Sequence, residues 1–351
     1  MRPLPSLRAA AARTVTQLTG RAHSLPMLVI LPHEGCNAKC VMCDIWKTNP
    51  RGVELPLERI DTLLPELQGL STERIVLSGG EALLHSEFEA LARRLASAGA
   101  KLTLLSTGLT LARNAPLVAE LFDEIVVSLD GPELVHDQIR RVPRAFEKLR
   151  GGVAALKAQR SELRVTARSV VQRLNHHLLE ATIDAARSLG LDAISFLAFD
   201  GTSDAFARTP GLAAETPSAD QLTPTPEESR SLLRLIGHLE ASRPELFASR
   251  FVTESPDKLR RIPRLFLALH GLGEFPQPRC NAPWVSAVVE ANGDVRPCFF
   301  HRPIGSLTKG SLTEVLSSPR AVAFRRRLDV ATDPTCRRCV CSLELGPFGR
   351  P

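Results

Sequence analysis

The sequence predicts an α/β protein in which a curled parallel sheet is followed by a small, cysteine-rich α+β domain. Three observations carry this. Six apolar, strand-like runs alternate with helical patterns between Met27 and Phe199. The segments between the runs are long enough for crossovers, and a parallel connection needs a dozen or more residues and usually takes a helix. The eight cysteines fall into two groups, three at positions 36–43 and five at 280–341, with none between.

In chain order, the first 33 residues carry Arg2, Arg8, Arg13 and Arg21 and no acid. This composition is like that of a transit peptide, but without an apolar h-region it reads as a basic helix ahead of the sheet. The strand-like runs are Met27–Leu31, Arg74–Ser78, Lys101–Leu105, Glu124–Leu129, Leu163–Val171 and Ala193–Phe199. The helical patterns are Leu57–Leu67, Glu87–Ala98, Asn114–Phe122, Arg144–Gln159 and Asn175–Leu189. Right-handed crossovers repeated from strand to strand curl such a sheet. From Thr209 to Glu228 the chain has four prolines and no period, a long loop that is either a lid or a linker. It ends where Thr225-Pro226-Glu227-Glu228 supplies an N-cap, a first-turn Pro and an acid at the third position, with a helix through Leu239. Asn292-Gly293 between Val288-Val289 and Val295 is a hairpin signal that puts Cys280 and Cys298 on either side of it. The expected divisions are 1–24, a basic segment; 25–208, the α/β body; 209–279, loop and helical linker; and 280–351, the cysteine domain.

Composition narrows the function. A chain of 351 residues, 44% hydrophobic, can bury a large core. The net charge is +6, but only seven of 44 basic residues are Lys and the arginines are scattered, so no nucleic-acid tract is expected. The positive balance suits an anionic substrate; a solvated Arg-rich surface is the plainer reading. No apolar run reaches the roughly 18 residues of a membrane span. There is no tyrosine, which removes a Tyr radical relay or phenolic acid. Two widely separated cysteine groups read as two metal sites in a reducing compartment, with a cytoplasmic location expected.

The chemistry is concentrated at strand ends. Directly after the first strand stands Gly35-Cys36-Asn37-Ala38-Lys39-Cys40-Val41-Met42-Cys43. Three thiolates on one loop can hold a metal cluster, and a [4Fe–4S] cube gripped by only three leaves one iron open. A zinc knuckle or ferredoxin-like loop fits the same spacing. After the second strand, Gly79-Gly80-Glu81 permits a tight turn, close backbone approach and an acid that can accept from an ammonium. After the third comes Ser106-Thr107-Gly108. The fourth ends in Ser128-Leu129-Asp130-Gly131, where Ser128 and Asp130 share a face and can meet a ligand's hydroxyls, followed by His136-Asp137-Gln138-Ile139-Arg140. Asp200 and Asp204 follow the sixth strand and are weak candidates for catalysis. The second cysteine group is Cys280, Cys298, Cys336, Cys339 and Cys341, and two cysteine pairs make either a zinc or an iron–sulfur site.

Together these motifs resemble the radical S-adenosylmethionine (radical SAM) enzymes. The CxxxCxxC spacing of Cys36, Cys40 and Cys43 resembles their signature, and the run from Ser128 to Arg140 resembles the SxDGxxxxHDxxR segment of the peptide-modifying branch. The resemblance implies a partial (β/α)6 barrel of the TIM type, with chemistry on the loops after the C-terminal strand ends. It implies a [4Fe–4S] cluster whose open iron chelates the amino and carboxylate groups of S-adenosylmethionine, and an electron that splits the sulfonium to a 5′-deoxyadenosyl radical. By the same likeness Gly79, Gly80 and Glu81 bind the methionine amino group, Ser128 the ribose and Arg140 the carboxylate, with Arg141 the alternative register. Met42 takes the slot where the family often has an aromatic against the adenine. Thr107 replaces the usual Asn. Packing and capping are the expected roles of His136 and Asp137.

The C-terminal cysteines resemble the start of a SPASM or twitch domain. This implies one auxiliary [4Fe–4S] cluster on Cys280, Cys298, Cys336 and Cys339, with Cys341 spare or exchanged with Cys339, since no further cysteines follow before Pro351. The expected activity is an oxidoreductase-type hydrogen abstraction from a ribosomal peptide, which the His-Asp-x-x-Arg run favours, or from a small metabolite. Flavodoxin or ferredoxin is the expected electron donor. A non-catalytic electron carrier or a zinc-stabilised binding protein is the reading from a different class.

Overall fold

The computed structural model describes residues 7–47, 52–203, 205, 217–349 and 351. The chain opens with α1 (Leu7–Thr19), then β1 (Met27–Ile30), α2 (Leu57–Gly69), β2 (Arg74–Leu77), α3 (Phe88–Ala96), β3 (Lys101–Ser106), α4 (Leu111–Leu121) and β4 (Glu124–Ser128). There follow α5 (Glu133–Arg140), α6 (Ala145–Gln159), β5 (Arg164–Val171), α7 (Leu179–Ser188) and β6 (Ala193–Ala198). The C-terminal part adds β7 (Ser286–Val289), β8 (Asp294–Arg296) and β9 (Gly305–Ser306).

Strands β1 to β6 pair in sequence order, all parallel, and the crossovers are helical. The helices are amphipathic for this purpose: in α2, Leu57, Ile60, Leu63 and Leu67 recur at helical spacing and are buried, while the other face is wet. The strands are mostly apolar, as a sheet covered by helices requires, although β5 also carries Arg164, Thr166, Arg168 and Ser169.

Both open edges of the parallel sheet are covered, since an unpaired edge leaves a row of free N–H and C=O groups. At the β6 edge, Val252 forms a single parallel bridge with Ile194. At the β1 edge, β7 pairs in parallel from Met27↔Ser286 to Ile30↔Val289, and β8 and β9 continue antiparallel. The expected hairpin is present, with Val289 opposite Val295 and Gly293 at φ +87. The C-terminal segment, expected as a small domain over 280–351, adds its strands to the edge of the parallel sheet through β7.

Arg13 of α1, almost fully buried, ties the two ends together: it donates to the Gly349 carbonyl at 2.6 Å and pairs with Glu73. The capping box at Thr225 and Glu228 starts a helix that runs to Ser242, past the expected end at Leu239. The helix Pro256–Leu269 was not legible, because Pro263 interrupts its pattern, although Ser255 caps it and Pro256 opens it. No helix among the described residues is long and apolar enough to cross a membrane.

Candidate functional site

The loop after β1 carries Cys36, Cys40 and Cys43 to the C-terminal end of the strands, where neighbouring loops hold it in place. Lys39 and Val41 donate their amides to the carbonyls of Arg140 and Ile139 at the end of α5. Gly80 touches the loop so closely that a Cβ there would lie 2.1 Å from the Gly35 carbonyl oxygen, and the Glu81 amide donates to that oxygen at 3.0 Å. Gly79, at φ +118, makes the turn that allows this approach.

All three thiols are held well above the ordinary range. Burial raises Cys36 first and the Cys40 thiolate second; Cys43 is pushed up to about 12 by burial and then by Cys40. Cys40 is raised by burial too, against the opposing pull of Arg140, whose Nη1 lies 3.4 Å from its sulfur. Three adjacent thiolates, Cys40 buried and Cys36 and Cys43 half-buried, therefore need added positive charge, which a metal supplies. A single zinc ion bonded at about 2.3 Å would draw its thiolates to about 3.8 Å of one another. The three sulfurs do not converge even within 4.8 Å; among the described residues only His301, Asp333 and Cys336 do.

Several expected ligand contacts are spent within the protein. Asp130, expected to face a ligand's hydroxyls, is fully buried: its Oδ2 is 2.5 Å from Arg140 Nη2 and its Oδ1 accepts from the Val170 amide at 2.9 Å. A buried carboxylate needs such partners, so it anchors Arg140 and β5. Arg140 is thus engaged by Asp130 and Cys40, with Nε left without a partner, while Arg141 is exposed in the left-handed conformation that ends α5. His136 accepts from the Asp130 amide at 3.2 Å and stacks edge-on against Phe146, and Asp137 accepts from the Phe146 amide at 2.8 Å.

Glu81 is also buried, and burial raises its pKa against the hydrogen bonds that favour its charge. Its Oε2 accepts from the Thr107 amide at 2.7 Å, the Thr107 hydroxyl at 2.6 Å and the Ser106 hydroxyl at 3.1 Å. Thr107 Oγ1 also lies 2.9 Å from the Asn37 side-chain amide. The Asn37 atom at this contact is Oδ1, an acceptor, so the single Thr107 hydroxyl proton is shared between Asn37 and Glu81. Thr107, a departure from the expected Asn, thus joins Glu81 to the cysteine loop.

Ser128 is half-buried at the end of β4, and its hydroxyl has no partner among the described residues. Met42 is buried with its sulfur 3.8 Å from Gln172 Nε2. Asp200 accepts from the Thr202 amide at 2.9 Å and from the hydroxyls of Thr202 and Ser203, which ties up its carboxylate in its own loop. Asp204 lies outside the described residues.

In the C-terminal part, Cys298, pushed up to about 11 by burial, also feels Cys280 and Cys341. Cys336 is raised by burial and then by Asp333, and Cys339 by burial and then by Cys341; both also sense Cys280 and Cys298. All five cysteines therefore share one locality. Cys341 is exposed, and its amide donates to Cys339 Sγ at 3.4 Å. His301, unmarked in the sequence reading, is buried with Nε2 3.4 Å from Cys336 Sγ. The same nitrogen lies 3.7 Å from Oδ1 of Asp333, which caps the short turn Pro334–Arg337 through the Cys336 amide.

A partial barrel of parallel strands, a largely buried three-thiol loop at its C-terminal end and a second cysteine locality on an added sheet edge define an iron–sulfur enzyme of the α/β-barrel class. Comparison with known proteins agrees. Residues 30–196 match the radical SAM superfamily and residues 280–340 match SPASM, an iron–sulfur cluster-binding domain. The chain belongs to the radical SAM superfamily and carries a C-terminal SPASM domain. With these domains come a [4Fe–4S] cluster, S-adenosylmethionine and auxiliary iron–sulfur.

Among curated proteins, an AdoMet-dependent heme synthase of Methanosarcina barkeri is 29% identical over 177 residues, 48% of this chain and 50% of that protein. A pre-heme d1 synthase of Dinoroseobacter shibae is 31% identical over 175 residues, 47% of this chain and 42% of that protein. The chain thus spans about half the length of the curated relatives it matches. Among solved structures, anSMEcpe with bound AdoMet superposes with a TM-score of 0.63 at 17% identity, covering 89% of this chain and 86% of that one. SuiB of Streptococcus suis bound to the precursor peptide SuiA superposes with a TM-score of 0.62 at 13% identity, covering 96% and 77%. At these identities the likeness is one of fold.

Proposed function

We propose that this protein abstracts hydrogen from a small organic molecule held between the barrel mouth and the C-terminal cysteines. The observation that carries the radical reading is the largely buried loop of Cys36, Cys40 and Cys43 with the Arg140 guanidinium on Cys40. When bound, the cluster and S-adenosylmethionine supply a 5′-deoxyadenosyl radical. In this reading Cys36, Cys40 and Cys43 hold the cluster, and Arg140 offsets part of the thiolate charge. Two buried atoms without partners among the described residues, Arg140 Nε and Gln172 Oε1, fit a polar ligand at the same strand ends. Arg140 Nε is the donor left for a carboxylate, and the unpaired Ser128 hydroxyl is the candidate for the ribose. Gly79 and Gly80 bring the backbone of their turn against the cysteine loop, while Glu81 orders that turn through Thr107. Met42 closes the apolar side, and burial of the loop excludes water from it. Cys280, Cys298, Cys336 and Cys339 hold one auxiliary cluster, with Cys341 spare or exchanged with Cys339. Flavodoxin or ferredoxin in a reducing cytoplasm is the proposed electron source.

Between the two substrate classes the small molecule is favoured. The His-Asp-x-x-Arg run that favours a peptide directs His136 and Asp137 to their own backbone. The curated relatives, a heme synthase and a pre-heme d1 synthase, are named for small-molecule products. The test is reductive cleavage of S-adenosylmethionine by the anaerobically reconstituted chain. 5′-Deoxyadenosine is expected from the wild type and none from Cys40→Ala; equal formation by both removes the three-cysteine loop from the reaction.

A further inference from the structure

A cavity of about 540 Å³ opens between the loop after β6 and the C-terminal segment, a size ordinary for a small-molecule site. Asp200 lines it from the barrel side and Cys339 from the side of the second cysteine locality. Four arginines line it as well, Arg302, Arg320, Arg327 and Arg338, and all four are exposed. Elsewhere on the protein Arg93, Arg144, Arg164, Arg243 and Arg260 have carboxylate partners. Among the described residues, Arg302, Arg320, Arg327 and Arg338 have none; Arg338 rests 5.9 Å over the Phe275 ring. Among the described residues one acid lines the cavity, Asp200, and it is already engaged by Thr202 and Ser203. His301, also on the wall, adds no negative charge.

The placement of these cations works against local stability. Arg320 sits in the first turn of the helix Pro319–Arg327, which has no acid there, at the end where the helix dipole disfavours a cation. Like charges gathered in a concave site repel one another and focus a positive field into it. Planar guanidinium forks match carboxylates two bonds at a time, and a ligand with several such groups would relieve the repulsion at every one.

We propose that this cavity binds a small substrate carrying two or more anionic groups, which Arg302, Arg320, Arg327 and Arg338 hold. The substrate's body then lies between the barrel mouth and the Cys339 wall. This names the substrate class of the hydrogen-abstraction reading above and rests on it for the use to which the bound molecule is put.

The test is calorimetric titration of the anaerobically reconstituted holoenzyme with tricarballylate, pyrophosphate and acetate. Tricarballylate is expected to bind at least tenfold more tightly than acetate. Hydrogen bonds to charged groups are worth about 1.5–3 kcal/mol, so Arg320→Gln and Arg327→Gln are each expected to weaken it about tenfold or more. Arg320→Lys is expected to recover part of the loss, and thermal melting checks that the variants remain folded. Pyrophosphate binding more tightly than tricarballylate supports the polyanion site and assigns it phosphoryl groups rather than carboxylates. Tricarballylate and pyrophosphate both binding no more tightly than acetate, or affinity unchanged in the folded Arg320→Gln, Arg327→Gln double variant, overturns the proposal. Formation of 5′-deoxyadenosine by the wild type without added substrate reports on the radical reading separately, so the two fail independently.

Discussion

Replacing Gly80 by Ala should dislodge the cysteine loop. The added Cβ would lie 2.1 Å from the Gly35 carbonyl oxygen and 2.7 Å from its carbon, both backbone atoms, and 2.9 Å from Ile45 Cγ2. Reaching even 3.0 Å from that oxygen requires a displacement of about 0.9 Å between the two loops. A shift of that size along the contact stretches the 3.0 Å bond from the Glu81 amide to Gly35 beyond hydrogen-bond range. The lost bond costs about 0.5–1.5 kcal/mol and the overpacking about 1–3 kcal/mol, for a total of roughly 1.5–4.5 kcal/mol. The displaced loop bears Cys36 one residue after Gly35, so the effect falls on the cluster. Iron per anaerobically reconstituted chain is expected to fall from about eight to about four, with the auxiliary locality unaffected. Iron determination and thermal melting under argon measure both consequences. Full iron and an unchanged melting temperature in Gly80→Ala would refute the close packing of these loops and the reasoning built on it.

Stability should fall in acid through His136. Burial and then the nearby Arg140 push this imidazole down to about 3, against about 6.5 unfolded, so between these values the unfolded chain binds the extra proton and stability is lost as pH falls. From pH 7 to pH 5 the loss is about 2 kcal/mol, and chemical denaturation of His136→Phe should show a pH dependence flatter by that amount; equal slopes would mean that the imidazole titrates normally. Changing Cys36, Cys40 and Cys43 together to Ala should leave about four irons and a spectrum unmoved by S-adenosylmethionine, because four thiolates leave no open iron. A response to S-adenosylmethionine in that variant would place its binding at the second locality. Thr107→Val removes a hydroxyl donor from the buried Glu81 carboxylate, which should cost about 1.5–3 kcal/mol in a denaturation series, and an unchanged midpoint would remove Thr107 from this network.

The radical SAM class was legible in the chain itself because its signals are local. Cys36, Cys40 and Cys43 lie within eight positions on a loop directly after an apolar run, and strand and helix periods are written into consecutive residues. Strand boundaries agreed with the structure to within a residue or so, as at Ala193–Ala198, because each run must be mostly apolar to sit in a covered parallel sheet. The packing role expected of His136 and Asp137 agrees with their contacts.

Tertiary structure alone decided contacts between distant residues. Arg140 and Cys40 are 100 positions apart, and Glu81 and Thr107 are 26 apart. Nothing in a strand-end Asp distinguishes one that meets a ligand from one that, like Asp130, is buried as the partner of an arginine. The β1–β7 ladder joins residues on opposite sides of the whole barrel sequence, since edge pairing is satisfied by backbone groups that every residue carries. The four arginines of the cavity have no common motif. In the sequence they are part of a scattered positive balance, and only the folding of the Pro319–Arg327 helix against the loops at Arg302 and Arg338 gathers them around one space.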